Sequence, residues 1–291
     1  MAAAIIELKK VSKQFGSKLA LDNVSMVVEK GQIFGFLGPN GAGKTTTIRC
    51  LMDFIRPTGG AVKLFGKPLD RLDINYKNKI GFLSADSVLY GNWSGNAHIK
   101  FIATMHGSRG VADQLVSRFD LDLRPKVRHL SSGNKQKLAL VLALMHEPDL
   151  LVLDEPTRGL DPILQQEIYS ILRELRREGK TVFMSSHNLA EVEQICDRVG
   201  IIREGKIVAS ESMQSVRGMQ MHIVKVVFAT TYNIRDYQID KVDIKSSSKK
   251  ELELHVHGDL NVLLTRLLRH PIRDIDISHA SLEDVFMRFY Q

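Results

Sequence analysis

The stretch GQIFGFLGPNGAGKTTTIRCLM, residues 31–52, establishes the fold class of this 291-residue chain. Its residues IFGFL read as a short buried strand, and TTTIRCLM reads as the helix that follows. Between them, GPNGAGKT (38–45) matches the pattern G-x-x-x-x-G-K-S/T at every defined position. A strand, a glycine-rich loop and a helix in this order predict an α/β fold in which the loop cradles phosphate groups.

Each residue type in this loop suits a phosphate ligand. Gly38, Gly41 and Gly43 allow the backbone to turn and to approach a phosphate closely, because no Cβ intervenes. We expect Lys44 to reach the outer phosphates and the Thr45 hydroxyl to ligate Mg²⁺. The predicted nucleotide-binding residues of the loop are Gly38, Pro39, Asn40, Gly41, Ala42, Gly43, Lys44, Thr45 and Thr46.

Two further apolar runs end in residues that such a site needs. The run LLVL (150–153) is followed by Asp154 and Glu155, and KTVFMSSH (180–187) ends in His187. In open α/β sheets ligands lie at the carboxyl ends of the strands, so we expect these three side chains to meet there. Asp154 is the predicted Mg²⁺ partner, directly or indirectly, and Glu155 is the predicted general base for an attacking water. His187 is predicted to contact the γ-phosphate or to orient that water.

The order of these motifs resembles that of the ATP-binding subunits of ABC transporters, over about residues 5–215. GPNGAGKT resembles the Walker A motif, and LLVLDE resembles Walker B. LSSGN (130–134) resembles the family signature, usually written LSGGQ, and GLDP (159–162) resembles the D-loop. The resemblance implies a P-loop NTPase core with an inserted helical subdomain, and it implies ATP and Mg²⁺ as the ligands.

The resemblance also implies roles for residues outside the phosphate loop. Ser131, Gly133 and Asp161 occupy the signature and D-loop positions that contact nucleotide, and His187 occupies the position of the switch histidine. Phe15, in KQFG (13–16), resembles the aromatic residue that stacks on adenine. From the residues alone, Phe15 is also explicable as a core residue at a strand end.

The same resemblance implies an assembly. In the family fold a chain's own signature lies far from its own phosphate loop, so one nucleotide needs two chains arranged head to tail. A second ATP-binding subunit is therefore implied, for which an identical chain is the expected partner, together with a separate transmembrane permease subunit. The permease would hold the chain at the cytoplasmic face of the cell membrane, where ATP hydrolysis would drive export.

Two sites depart from the family pattern. Relatives usually carry a glutamine just after the strand that here reads IGFL (80–83), whereas this chain has Ala85 followed by Asp86. Asp86 substitutes for that glutamine only if the loop shifts by one residue. In the signature, Ser132 and Asn134 replace glycine and glutamine, which are mild changes in size and polarity, so we expect the signature to work.

A helical arm is predicted between the phosphate loop and the apolar run LLVL (150–153), at about residues 86–147. NAHIKFIATMHG and GVADQLVSRFDL carry apolar residues at helical spacing. The resemblance implies that this arm docks the permease. The aromatic and apolar side chains of the arm either form a docking groove or pack within the arm; they are Tyr90, Trp93, Phe101 and Met105.

The chain is predicted to divide into a nucleotide-binding domain, 1–215, and a small α+β domain, 216–291. MHIVKVVFAT (221–230) and ELELHVHG (251–258) alternate like strands, and a helix after Asp259 and the strand IRDIDISHA complete the pattern. A final helix, SLEDVFMRFY (281–290), begins at a capping box. This β-β-α-β-α region resembles the C-terminal extension of ABC-2-type exporter ATPases.

Composition excludes some classes of protein. The net charge is +7 but the basic residues are scattered, so nucleic acid is not an expected partner. The longest apolar run, LALVLALM (138–145), falls far short of the ~20 residues that span a membrane, and we expect a soluble chain. Cys50 and Cys196 have no metal-ligand spacing and read as reduced thiols.

Other functions are also considered. A soluble ABC ATPase acting on nucleic acid or ribosomes typically carries two cassettes or a long coiled-coil insert, and neither appears in this sequence. A GTPase or kinase would leave the signature unexplained, and NKIG (78–81) fails the base-reading pattern N-K-x-D at its last position. A catalytically weak subunit that gates its partner remains open because of Ala85.

Overall fold

A computed structural model of the protein describes residues 3–69, 74–86, 88–218, 221–257 and 259–279. The contacts within the chain divide it into two units, Met1–Glu211 and Ser212–Gln291. The predicted boundary after residue 215 lies slightly further along the chain.

The first unit alternates strands and helices. Its strands are β1 Ala4–Phe15, β2 Lys18–Glu29, β3 Ile33–Leu37, β4 Gly59–Leu64, β5 Lys67–Pro68, β6 Ile80–Leu83, β7 Leu150–Asp154, β8 Thr181–Ser186, β9 Arg198–Arg203 and β10 Lys206–Ser212. Its helices are α1 Lys44–Leu51, α2 Gly95–His106, α3 Ala112–Arg118, α4 Ser132–Leu144, α5 Pro162–Arg177 and α6 Leu189–Ile195. This alternation is the α/β class that the sequence predicts.

A mainly parallel sheet positions the predicted site. Its strand order is β10-β9-β3-β8-β7-β6, and β3 pairs in parallel with β8, as β8 does with β7. Every residue of β3, β7 and β8 is buried, which explains why these strands read as continuous apolar runs. Phe183 of β8 packs against Phe34 and Phe36 of β3 with ring centroids 5.8 and 5.5 Å apart. The carboxyl ends of the three strands therefore lie side by side on a well-packed core.

A second sheet in this unit is antiparallel, with the order β2-β1-β4-β5. Strand β1 ends at Phe15, whose backbone pairs with Lys18 across a tight turn. The Phe15 side chain is 48% exposed. The alternative in which Phe15 is a core residue at the strand end is therefore wrong.

Helices α2, α3 and α4 form the arm that the sequence predicts. Ser94 caps α2 by accepting a hydrogen bond from the Ala97 amide, and Ser131 caps α4 by accepting one from the Asn134 amide. The four apolar arm residues named above are all exposed, from 36% for Trp93 to 66% for Met105. Among the described residues, no helix combines the length and the apolarity needed to cross a bilayer.

The second unit is built on one antiparallel sheet. Its elements are α7 Met213–Gly218, β11 Met221–Phe228, β12 Val242–Ser247, β13 Glu251–His257, α8 Leu260–Leu267 and β14 Ile272–His279. The sheet order is β12-β13-β11-β14. Its buried core includes Val224, Leu254, Leu263 and Tyr237.

The sequence pattern did not predict strand β12. Its residues VDIKSS are mostly polar, and Val242 and Ile244 are its two partly buried side chains. An edge strand needs little apolar surface, since it is held by main-chain pairing to β13. The predicted helix at 281–290 lies outside the described residues.

Candidate functional site

The phosphate loop connects the end of β3 to the start of α1. Gly43 precedes the helix with φ 113°, a left-handed conformation that favours glycine. At Gly38 a Cβ would lie 2.4 Å from the Ile202 carbonyl oxygen, so no larger residue fits without a shift. The Lys44 ammonium folds back over this loop and donates hydrogen bonds to the carbonyl oxygens of Gly38, at 2.7 Å, and Pro39, at 3.2 Å.

Asp154 ends β7 opposite this loop and is 2% exposed. The Thr45 hydroxyl donates to its Oδ2 at 2.8 Å, and the Ser185 hydroxyl donates to its Oδ1 at 2.5 Å. The second contact follows from the sheet register, which pairs Asp154 with Ser185. A carboxylate beside a hydroxyl is the oxygen-donor chemistry that Mg²⁺ prefers, so Thr45 and Asp154 fit a magnesium site.

Glu155 follows directly and is held on two sides. Its Oε1 lies 3.2 Å from the Lys44 ammonium, and its Oε2 lies 2.5 Å from His187 Nδ1. Its backbone has φ 53°, and its amide donates to the Ser185 hydroxyl at 3.0 Å. Because a carboxylate accepts hydrogen bonds, His187 carries its proton on Nδ1 in this contact. The structure thus brings Lys44, Glu155 and His187 together.

Lys44 and Glu155 border a cavity of about 960 Å³, whereas His187 is not among the described residues that line it. The described residues that line it include Asn40, Gly41, Gly43, Lys44, Thr45, Thr46, Asp154 and Glu155. Phe15 also lines it, and the Lys13 ammonium lies 5.0 Å from the centre of its ring. Ala85 and Asp86 line the same cavity as Lys44, Asp154 and Glu155.

The signature and D-loop residues are placed differently. Ser131, Gly133 and Asp161 are not among the described residues that line this cavity. Asp161 caps α5 by accepting a hydrogen bond from the Leu164 amide at 2.9 Å. A Cβ on Gly133 would meet no atom within 4 Å, so packing within the chain does not explain the glycine.

Sequence reasoning missed three polar residues of this region. Ser185 contacts both the Asp154 carboxylate and the Glu155 amide. Its position near the end of a buried strand was a signal in the sequence that could have identified it. Arg158 lines the cavity, and its amide donates to the Glu155 carbonyl oxygen at 3.2 Å. Glu191 is buried and contacts Thr157 and Ser186, and it carried no signal, since one acid in a short helix is usually exposed.

Comparisons with known proteins point to one family. A family model described as ABC transporter matches residues 21–158. Bacitracin transport ATP-binding protein BcrA of Bacillus licheniformis is 33% identical over 301 residues, which cover 98% of this chain and 97% of that protein. Nod factor export ATP-binding protein I of Paraburkholderia xenovorans is 31% identical over 299 residues, which cover 99% of this chain and 97% of that protein. A dimeric bacterial ABC transporter cassette superposes with a TM-score of 0.65 at 25% identity, over 72% of this chain and 98% of that one.

Proposed function

Because the chain belongs to the ABC transporter family, as an ATP-binding subunit of exporter type, we propose that it works as a head-to-tail dimer that powers export through a separate membrane subunit. The chain has the P-loop NTPase fold and is an ATPase. The observation that carries the hydrolysis step of this proposal is the contact of Glu155 with both Lys44 and His187 at the carboxyl ends of the parallel strands.

The same contact supports a sequence of events at the site. The terminal phosphates of ATP would compete with Glu155 for the Lys44 ammonium, because both are anions and Lys44 is a compact cation. Release from Lys44 leaves the Glu155 carboxylate free to accept a proton from the attacking water. His187, with its proton on Nδ1, keeps hold of that carboxylate. Thr45 and Asp154 would hold Mg²⁺, which neutralises phosphate charge when bound.

The proposed dimer accounts for residues that lie away from the cavity. The amino end of α4, with Ser131 and Gly133, is open, and an amino end of a helix attracts anions. A second chain would bring its phosphate loop to this helix end, and Gly133 would allow close approach. The cassette that this fold resembles is dimeric, which supports the association of two chains.

The membrane partner is proposed to dock on the exposed aromatic side chains of the arm. Tyr90 and Trp93 have ring centroids 4.6 Å apart, and Trp93 meets Phe101 edge-on at 5.6 Å. Exposed apolar clusters of this kind are typical of protein interfaces. Docking there would hold the chain at the cytoplasmic face of the membrane, and the relationship to a Nod factor export protein supports export as the direction.

Replacing Glu155 by glutamine tests the proposed base. Glutamine keeps the size of the side chain but cannot accept the proton, so single-turnover ATP hydrolysis should fall by about 10²–10⁴. Binding of a fluorescent ATP analogue should persist, and light scattering should show a stable dimer when ATP is present. Hydrolysis at the wild-type rate would overturn the role of Glu155.

The head-to-tail arrangement is tested in the same variant. Ser131→Arg, added to E155Q, places a bulky cation at the helix end that faces the second chain. The double variant should bind nucleotide as a monomer and fail to dimerise. Dimer formation in spite of Ser131→Arg would contradict the proposed arrangement.

A further inference from the structure

Glu191, in helix α6, is a buried carboxylate that the proposed chemistry does not use. It is 4% exposed. The Thr157 hydroxyl donates to its Oε1 at 2.6 Å, and the Ser186 hydroxyl donates to its Oε2, also at 2.6 Å. One carboxyl group therefore connects two segments that are 34 and 5 residues away from it in the chain.

Both connected segments carry a residue assigned to hydrolysis. Thr157 lies two positions after Glu155, and Ser186 immediately precedes His187. Glu191 therefore joins the two chain segments that carry Glu155 and His187, in addition to the direct contact between those two side chains. The two catalytic side chains can hold a separation of 2.5 Å only if these segments keep their relative positions.

The Glu191 contacts are suited to that task. Hydrogen bonds to an ionised carboxylate are short and stronger than those between neutral groups. A carboxylate accepts only, so each hydroxyl must point its proton at Glu191, and Ser186 keeps a lone pair that accepts from the Asn188 amide at 2.9 Å. The orientation of both hydroxyls is therefore defined.

Burial of the Glu191 carboxyl group costs free energy, because it disfavours the ionised form. Burial raises the pKa of Glu191, against the hydrogen bonds from Ser186 and Thr157, which lower it. Burial also raises the pKa of the neighbouring Tyr169 to about 12, and the Glu191 charge adds to that effect. A buried acid destabilises a fold unless its partners compensate, so its presence behind the catalytic pair calls for a role.

We propose that Glu191 is a positioning residue that holds Glu155 and His187 in the arrangement needed for hydrolysis. The inference rests on the roles proposed for those two residues. Without Glu191, the Thr157 and Ser186 hydroxyls lose their common acceptor. The two segments then remain joined through Ser185, which pairs with Asp154 and accepts from the Glu155 amide. A misplacement of about 1 Å in a catalytic group can cost about 10²-fold in rate.

The test compares Glu191→Ala and Glu191→Gln in the full-length chain. Rates are divided by the number of sites that bind a trinitrophenyl ATP analogue, so unfolded protein does not count. E191A should lower kcat by about 10- to 100-fold while the KM for ATP changes less than about threefold. E191Q, whose amide oxygen still accepts one of the two hydrogen bonds, should recover at least half of that loss on a logarithmic scale.

A double-variant cycle shows whether Glu191 acts through its hydroxyl partners. Thr157→Val removes one partner with little change in shape. The effects of T157V and E191A on kcat should not add, because both break the same connection. If E191A does not fold, T157V and E191Q provide the same comparison. Additive effects, an unchanged kcat, or equal changes in KM and kcat would each overturn the proposal.

The parallel measurement on E155Q separates this inference from the function beneath it. An inactive E155Q beside a fully active E191A would refute the positioning role and leave the proposed base intact. A fully active E155Q would instead refute the proposed base, whatever E191A does.

Discussion

Replacing Arg118 by alanine should loosen helix α3 of the arm from helix α5 of the nucleotide core. The Arg118 guanidinium donates hydrogen bonds to Glu167, Ser170 and Glu174. These three acceptors lie three and four positions apart and so share one face of α5. The contact with Glu174 uses two guanidinium nitrogens, a planar geometry that lysine could not reproduce.

The size of the effect follows from the exposure of the ion pairs. Arg118 is 32% exposed, and the two carboxylates are 36% and 42% exposed, so water and salt screen them. Pairs of this kind contribute about 0.2–1 kcal/mol each, and the two together with the serine contact should contribute about 1–2 kcal/mol. A loss of that size raises the population of the opened arm by roughly 5- to 30-fold.

Hydrogen exchange measured by mass spectrometry on peptides that cover α3 reports this opening. R118A should exchange faster by roughly that factor at low salt. The difference from wild type should shrink at 1 M salt, where the screening length is about 3 Å rather than about 10 Å. Arg124→Ala is the matched control, because Arg124 is an exposed arginine of the same arm whose partner, Asp122, is local.

Acid should weaken the same contact. The hydrogen bond from Arg118 lowers the pKa of Glu174, so the ionised carboxylate is favoured in the folded arm. This contribution is complete above the ordinary glutamate pKa of about 4.3 and is lost as the pH falls through the lowered pKa. Equal exchange in R118A and R124A at low salt would refute the reasoning.

Two further outcomes are expected. Gly38→Ala should abolish binding of a fluorescent ATP analogue and lower the midpoint of unfolding, because its Cβ would lie 2.4 Å from the Ile202 carbonyl oxygen. The control Gly133→Ala should leave nucleotide binding unchanged and leave the midpoint unchanged or raise it, because its Cβ would meet no atom within 4 Å. His146→Gln should reduce the loss of stability between about pH 7 and pH 5, as followed by urea unfolding at each pH. Burial lowers the pKa of His146, so the folded wild type favours the neutral ring and acid shifts the equilibrium toward the unfolded chain. Glutamine does not titrate in this range, and its side chain can still donate to the Ile80 carbonyl oxygen that His146 Nε2 contacts. An acid response in H146Q equal to that of wild type would contradict this account.

Local patterns in the sequence were sufficient for the elements that carry the site. The loop at 38–45 and the strands β3, β7 and β8 were predicted because each is a short segment with a characteristic composition. The caps of α2 and α4 are equally local, since each serine hydroxyl accepts from an amide three residues away. Strand β12 was missed because an edge strand held by main-chain pairing leaves little trace in side-chain pattern.

The sequence alone established which residues end the strands and that a phosphate loop precedes them, because these are properties of neighbouring residues. Which side chains contact each other was determined only by the tertiary structure. Thr45 reaches Asp154 across 109 residues, and Glu191 joins Thr157 across 34, through sheet register and side-chain burial that no short segment encodes. The residues that end the strands could be predicted, because they follow characteristic apolar runs. The support that Ser185 and Glu191 give them could not be predicted, because those contacts arise only when the parallel strands align.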